Sequence, residues 1–173
     1  MNPPRQTIND VLRTARAATR QFLPQAALQA VQQGALLIDT RTPTERQQEG
    51  VIPGSLHLPR TVLEWCCDPA SGYANPAIKG FDQTLIVVCA EGYSASLAAL
   101  SLKQLGFVNA GNLDGGYRGW KAAGLPTKAP DRAPADELSG MNPPESSGDE
   151  MAQASQRFSL RYSLYKLFVR AFQ

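Results

Sequence analysis

Histidine, cysteine and long hydrophobic runs are all scarce in this sequence, and each scarcity excludes a class of protein. The single histidine, His57, leaves no histidine cluster for a metal site or a proton relay. Three cysteines, of which Cys66 and Cys67 are adjacent, are too few for a disulfide framework and suit a reducing compartment. No run approaches the roughly 20 apolar residues of a membrane-spanning helix, and the Arg-rich first 20 residues lack the apolar core of a secretory signal. We therefore expect a cytoplasmic protein without a metal or other cofactor.

The charge is small overall and uneven along the chain. Seventeen basic and 15 acidic residues give a net charge of +2, which gives no reason to expect a nucleic-acid partner. Residues 128–150 are acidic and rich in Pro, Ser and Gly, which predicts a disordered linker.

Residues 151–173 are basic and carry aromatic residues at helical spacing. This C-terminal appendage is interpreted as an amphipathic segment that lies on a membrane surface, contacts a partner protein or folds back onto the domain. Residues 158–164 also alternate apolar and polar, so a strand is not excluded there.

The part of the chain between these ends alternates short apolar runs with helical patterns. Residues 35–39 and 84–88 are the clearest apolar runs, and their length is typical of strands buried on both faces. Residues 55–58 and 107–113 predict weaker strands, and helix starts are predicted at Thr7, Pro24, Thr42, Ser94 and Gly116. The pattern predicts an α/β domain with a central parallel sheet over residues 24–127, preceded by an N-terminal helical extension over residues 1–23.

A cysteine stands at the end of the best predicted strand, where parallel sheets place their ligand sites. Val88 ends the strand, Cys89 follows, and a helix is expected from about Ser94 after a short loop that contains Gly92. Main-chain N–H groups of such a loop and the helix N-terminus can converge on the sulfur and favour its ionised, nucleophilic form. The competing interpretation is that Cys89 is a small, buried and inert apolar residue.

Five short motifs occur in a fixed order around this cysteine. They are Ile38-Asp39-Thr40-Arg41, Gly50-Val51-Ile52-Pro53-Gly54-Ser55, the Cys89 loop, Leu113-Asp114-Gly115-Gly116-Tyr117-Arg118-Gly119-Trp120, and Ala123-Gly124-Leu125-Pro126. Together they resemble the rhodanese family of single-domain sulfurtransferases over residues 24–127. The resemblance implies a three-layer α/β fold and a catalytic cysteine, Cys89, that becomes a persulfide. It also implies that the loop binds the substrate through a cradle made of Ala90, Glu91, Gly92, Tyr93, Ser94 and Ala95.

The loop departs from two patterns that the resemblance brings with it. Phosphatases of the same fold use a loop one residue longer that ends in Arg, whereas Ser94 and Ala95 stand here, without a guanidinium for a phosphoryl dianion. Family members tuned to thiosulfate carry basic residues in this loop, whereas this chain has Glu91. A carboxylate beside the sulfur would repel dianionic thiosulfate and favour a less charged sulfane donor. Alternatively, Glu91 points to solvent and is screened.

Several other residues are weaker candidates. Arg60 could reach the mouth of the site and bind substrate with a positive charge, and Arg41 is expected to pair with an acid such as Glu45. Ser94 either caps the helix or donates its hydroxyl to the sulfur. Three further expectations concern packing and thiols: His57 packs without a catalytic role, Trp65 and Trp120 anchor the core, and Cys66 and Cys67 are free thiols.

The function predicted from the sequence is sulfur transfer, from a small sulfur-containing donor to a thiol or cyanide acceptor through a persulfide on Cys89. Two alternatives stay open, since a fold alone does not establish a reaction. The domain could be a catalytically idle binding or regulatory module, or a redox sensor that uses the same thiol. The sequence does not decide the oligomeric state.

Overall fold

A computed structural model of the chain describes residues 5–130, and these residues alternate helices with strands. The predicted C-terminal segment over 151–173, and all but the first three residues of the predicted linker over 128–150, lie outside the described residues. In chain order the elements are α1 (Ile8–Ala18), β1 (Arg20–Phe22), α2 (Pro24–Gln32), β2 (Leu36–Asp39), α3 (Pro43–Glu49), β3 (Leu56–His57), a 3₁₀ turn (Arg60–Val62), α4 (Leu63–Cys67), β4 (Leu85–Val88), α5 (Tyr93–Gln104), β5 (Ala110–Leu113) and α6 (Gly116–Ala122).

The five strands form one parallel sheet in the order β1-β5-β4-β2-β3. Strand β4 lies at its centre, and all four of its residues are buried, as its unbroken apolar sequence predicts. Leu36 to Asp39 pair with Leu85 to Val88 in register, so β2 and β4 end side by side. The predicted α/β fold with a central parallel sheet is confirmed.

Alternate side chains of β4 enter two separate cores, one on each face of the sheet. Leu85 and Val87 pack with buried residues of α4 and α5. Ile86 and Val88 face the other way and pack with buried residues of α2 and α6. This period of two follows from the pleat of the strand. Helices therefore cover both faces of the sheet, which gives the three layers expected of this fold.

The N-terminal segment contributes a strand as well as the predicted helix. Thr7 and Asp10 form the predicted capping box at the start of α1, and Ala15 on that helix is fully buried. One residue separates α1 from β1, which pairs with Gly111 to Leu113 of β5. Strand β1 is not evident from the sequence, because Arg-Gln-Phe is short and mostly polar and only Phe22 is buried in it.

Three details differ from the sequence expectations. The last strand begins at Ala110 rather than at Phe107, because Phe107 is a buried residue in the turn after α5. Trp65 is not a core anchor, since 56% of it is exposed, whereas Trp120 is buried as expected. Lys128 exchanges two main-chain hydrogen bonds with Val51 and is held to the domain. Within residues 5–130, the helices are all too short or too polar to cross a bilayer.

We predict that β1 is required for stability, although its sequence is largely polar. Phe22→Ala should lower the free energy of unfolding by about 3–5 kcal/mol, since it opens a cavity in a closed core. The neighbouring Leu23 is 62% exposed and provides the matched control. Leu23→Ala should change the free energy of unfolding by less than about 0.5 kcal/mol. Urea denaturation of both variants measures the difference. Equal effects of the two substitutions would show that β1 does not belong to the folded core.

Candidate active site

Cys89 lies at the carboxyl edge of the sheet, in the first position after β4. Its Sγ accepts hydrogen bonds from the main-chain N–H groups of Gly92, at 3.1 Å, and Ala95, at 3.4 Å. The residue is 8% exposed and borders a surface cavity of about 270 Å³. Two converging amides and access to a cavity suit a thiolate, because main-chain donors stabilise negative charge on the sulfur.

The loop closes around the sulfur because Gly92 adopts a left-handed conformation, with φ of +87°. A Cβ at Gly92 would lie 3.1 Å from the Leu113 carbonyl oxygen and 3.2 Å from the Gly115 nitrogen, both of which are backbone atoms. The position therefore requires glycine for its torsion and for its close packing. Gly92 is also the N-cap of α5, which begins at Tyr93, so the prediction that Ser94 caps this helix is wrong. Ser94 lines the cavity instead.

Helix α6 holds the first half of the loop from the opposite side. The N–H of Tyr117 donates to the Cys89 carbonyl at 2.8 Å, and the N–H of Arg118 donates to the Ala90 carbonyl at 3.1 Å. Gly116 makes this approach possible, because a Cβ there would collide with the Cys89 carbonyl oxygen. The Gly115-Gly116 pair recognised in the sequence thus positions the cysteine loop.

A buried ion pair fixes the neighbouring end of β2. Asp39 and Arg41 are both about 1% exposed at their side chains, and the Arg41 Nη2 donates to Asp39 Oδ2 at 2.7 Å. The guanidinium also lies 3.6 Å from the centre of the Tyr117 ring. Arg41 was expected to pair with Glu45, but its close carboxylate partner is Asp39. Arg41 Nη2 also donates to the Gly50 carbonyl at 2.9 Å, so the buried pair ties the end of β2 to the turn after α3.

The cavity beside the sulfur carries more acidic than basic groups that reach solvent. Glu45 remains ionised, because the main-chain N–H and then the hydroxyl of Thr42 hydrogen-bond its carboxylate and lower its pKa. The lining consists of Thr40, Arg41, Thr42, Glu45, Cys89, Ala90, Glu91, Tyr93 and Ser94. All the predicted loop residues therefore meet at one place, with Gly92 and Ala95 supplying amides to the sulfur and the others bordering the cavity.

Glu91 has a partner that the sequence analysis missed. Its Oε1 accepts from Arg118 Nη1 at 2.5 Å, and Arg118 Nη2 donates to Glu49 Oε1 at 3.0 Å. These two carboxylates, Glu49 first and Glu91 second, raise the pKa of Arg118. The side chains of Glu91 and Arg118 are each 54% exposed, so the pair lies in solvent at the rim of the cavity. Glu91 and Arg118 are 27 positions apart, and no local pattern links them.

Arg60 does not supply the positive charge that was expected at the mouth. Its Nη1 donates to both carboxylate oxygens of Glu64, at 2.8 and 2.9 Å, one helical turn along the chain. Glu64 in turn accepts from Ser101 of α5, so this cluster joins two helices away from the cavity. His57 Nε2 donates to the Arg41 carbonyl at 2.9 Å, which agrees with a packing role.

The three cysteines differ in their environments. All are free thiols, as expected for Cys66 and Cys67. Cys67 is fully buried, and this burial, reinforced by Cys66 and Glu64, raises its pKa to about 12. Cys67 therefore stays protonated at neutral pH. Cys89 differs from it because two main-chain amides donate to its sulfur.

We predict that Gly92→Ala disrupts the sulfur cradle, whereas Gly124→Ala does not. Both glycines have positive φ, +87° and +69°, so each substitution should cost about 1–2 kcal/mol of stability. At Gly92 the new Cβ would press against neighbouring backbone atoms. At Gly124 no atom lies within 4 Å of the new Cβ.

The readout is the pH profile of iodoacetamide alkylation at Cys89. Loss of one hydrogen bond to a charged group is worth about 1.5–3 kcal/mol, so Gly92→Ala should lower the thiolate fraction roughly 10- to 100-fold at a pH below the midpoint. Gly124→Ala should keep the wild-type midpoint. A wild-type midpoint in both variants would contradict the role of the amides.

Comparisons of the sequence with known proteins agree with this geometry. The Rhodanese-like domain family model matches residues 23–123. The thiosulfate sulfurtransferase GlpE of Pseudomonas savastanoi pv. phaseolicola is 34% identical over 99 residues, which are 57% of this chain and 84% of the relative. The protein of the same name from Haemophilus influenzae is 31% identical over 108 residues, or 62% of this chain and 92% of the relative.

Solved structures agree with the fold as well. A protein of unknown function from Rhodopseudomonas palustris, described as a possible tyrosine phosphatase, superposes with a TM-score of 0.66 at 28% identity. The match covers 74% of this chain and 98% of that one. The human single-domain sulfurtransferase TSTD1 gives a TM-score of 0.50 at 25% identity, over 61% of this chain and 96% of its own. Because the family model spans more than half of the sequence and fits the observed sheet and cysteine loop, this chain belongs to the rhodanese-like domain family.

Proposed function

We propose that this protein is a sulfurtransferase of the rhodanese type in which Cys89 carries the sulfur as a persulfide. The observation that supports the proposal most strongly is the pair of amides on Cys89 Sγ, at 3.1 and 3.4 Å, beside an open cavity. The relatives named sulfurtransferases give the same reaction class. The partners we propose are a small sulfur-containing donor and a thiol or cyanide acceptor.

The proposed reaction has two displacement steps. The Cys89 thiolate attacks the outer sulfur of the donor, a new S–S bond forms, and the donor's remaining group leaves with the electron pair of the broken bond. Loop amides stabilise the terminal negative charge of the resulting persulfide, as an oxyanion hole does. An acceptor thiolate or cyanide then attacks the outer sulfur, and the Cys89 thiolate leaves with its electron pair. No side-chain base is needed, because the attacking groups are already ionised.

The cavity fits sulfur transfer better than phosphate-ester hydrolysis. A phosphoryl dianion requires a bidentate guanidinium in the loop, and Ser94 and Ala95 occupy the relevant positions. Arg41 borders the cavity, but its charge is already paired with Asp39. The idle-module alternative is not favoured, because the nucleophile, its amide donors and its access to solvent are all present together.

We further propose that dianionic donors such as thiosulfate are used less well than less charged persulfides. Glu91 and Glu45 both border the cavity, and of the two only Glu91 forms a direct ion pair with Arg118, at the solvent-exposed rim. Negative charge at the entrance opposes the approach of an anion in proportion to the anion's own charge.

We predict that Cys89→Ser abolishes sulfur transfer. The hydroxyl is un-ionised at neutral pH, so kcat for thiocyanate formation from thiosulfate and cyanide should fall at least about 10³-fold. Cys66→Ser, which alters a partly buried thiol outside the cavity, should keep most of the activity. Retention of activity by Cys89→Ser would exclude the proposed intermediate.

We predict that Glu91→Gln raises kcat/KM for thiosulfate by about two- to tenfold at low salt, because it removes a like charge from the rim. Asp82→Asn removes one negative charge outside this cavity and should leave kcat/KM for thiosulfate unchanged. The gain should shrink as ionic strength increases. An unchanged kcat/KM in Glu91→Gln would show that Arg118 and solvent already screen the carboxylate.

Arg118→Met serves as the complementary test of the same ion pair. In the wild-type background it exposes the charges of Glu91 and Glu49 and should lower kcat/KM for thiosulfate, whereas in the Glu91→Gln background only Glu49 loses its partner and the loss should be smaller. An equal loss in both backgrounds would instead mean that Arg118 acts independently of Glu91, by binding the donor or by neutralising Glu49.

A further inference from the structure

Helix α1 lies outside the segment that the family model matches, yet it contacts the cysteine loop. The match begins at residue 23, and α1 ends at Ala18. Arg16, in the last turn of α1, donates from Nε to the hydroxyl of Ser96 at 3.4 Å. Its guanidinium carbon also lies 5.5 Å from the centre of the Tyr93 ring, within the range of a cation–π contact. One side chain of α1 therefore touches two residues in the first turn of α5.

Ser96 transmits this contact to the residue that holds the sulfur. It is completely buried, and its Oγ donates to the Gly92 carbonyl at 2.8 Å. The N–H of the same Gly92 donates to Cys89 Sγ at 3.1 Å. Arginine only donates, and the hydroxyl has a single hydrogen, so the direction is fixed from guanidinium to hydroxyl to carbonyl. The Gly92 carbonyl belongs to the peptide group that follows Gly92 and the N–H to the one that precedes it, so this chain acts by restraining the position of Gly92.

The second contact of Arg16 is with a residue at the entrance of the cavity. Tyr93 borders the cavity and is 57% exposed. The face of that ring packs against the Arg16 guanidinium. Arg16 thus reaches both the back of the sulfur cradle, through Ser96, and one wall of its entrance, through Tyr93.

We infer that Arg16 is a positioning residue for the Cys89 thiolate, and that α1 is a working part of the sulfur site. By anchoring Ser96, Arg16 fixes Gly92 so that its N–H points at the sulfur. The inference deepens the proposed function, because it takes Cys89 as the reacting group, but its test reads the state of the thiol alone.

The test compares two arginines of the same helix by the pH profile of iodoacetamide alkylation at Cys89, quantified on the Cys89 peptide by mass spectrometry. Arg16→Gln should move the midpoint of that profile to higher pH and lower the thiolate fraction about three- to tenfold at a fixed pH below it. Arg13→Gln is the matched control, since Arg13 is 76% exposed and pairs with Asp10. It should keep the wild-type profile. An unchanged midpoint in Arg16→Gln, or an equal change in Arg13→Gln, would overturn the inference.

Ser96→Ala and the double variant test whether Arg16 acts through Ser96. Ser96→Ala should move the midpoint in the same direction, and Arg16→Gln combined with Ser96→Ala should move it no further than the larger single effect. Additive shifts would mean that Arg16 acts independently of Ser96 and would refute the proposed relay. Because alkylation does not depend on sulfur transfer, the result stands even if Cys89 transfers no sulfur, so the two proposals fail separately.

Discussion

The amide cradle of Cys89 is the interaction on which the rest of the site depends. Two main-chain N–H groups approach one sulfur, and neither can do so unless Gly92 adopts its left-handed conformation. Main-chain donors cost little to reorganise when charge appears on the sulfur, because the surrounding backbone already fixes them. A thiolate and a terminal persulfide carry the same charge, so one arrangement serves both states of the proposed cycle.

The loop is held from three sides by elements that are distant in the sequence. Amides of α6 bind the carbonyls of Cys89 and Ala90, and Gly116 lets the two backbones approach. The buried Asp39–Arg41 pair fixes the end of β2, beside the end of β4. Behind the loop, Ser96 binds the Gly92 carbonyl and connects it to α1. Such convergence explains why the motifs recognised in the sequence are spread over the whole domain.

Local patterns in the sequence were enough for the central elements and for the position of Cys89. The apolar run that becomes β4 is buried on both faces, and its end marks the position of Cys89, so strand and site could be predicted together. The capping box of Thr7 and Asp10 is equally local.

Strand β1 could not be predicted, because three mostly polar residues form a strand only by pairing with β5. The partners of Glu91 and Ser96 are 27 and 80 positions away, so no short pattern contains them. Arg60 was misplaced because Glu64, one helical turn along the chain at the start of α4, binds its guanidinium.

The most direct measurement is the mass of the Cys89 peptide after incubation of the full chain with a sulfane donor under non-reducing conditions. We predict a gain of one sulfur atom on Cys89, loss of that sulfur on addition of cyanide, and no comparable adduct on Cys67, whose thiol is buried and protonated. A donor-treated protein with no additional sulfur on Cys89, or with a sulfur that cyanide does not remove, would rule out a persulfide on Cys89.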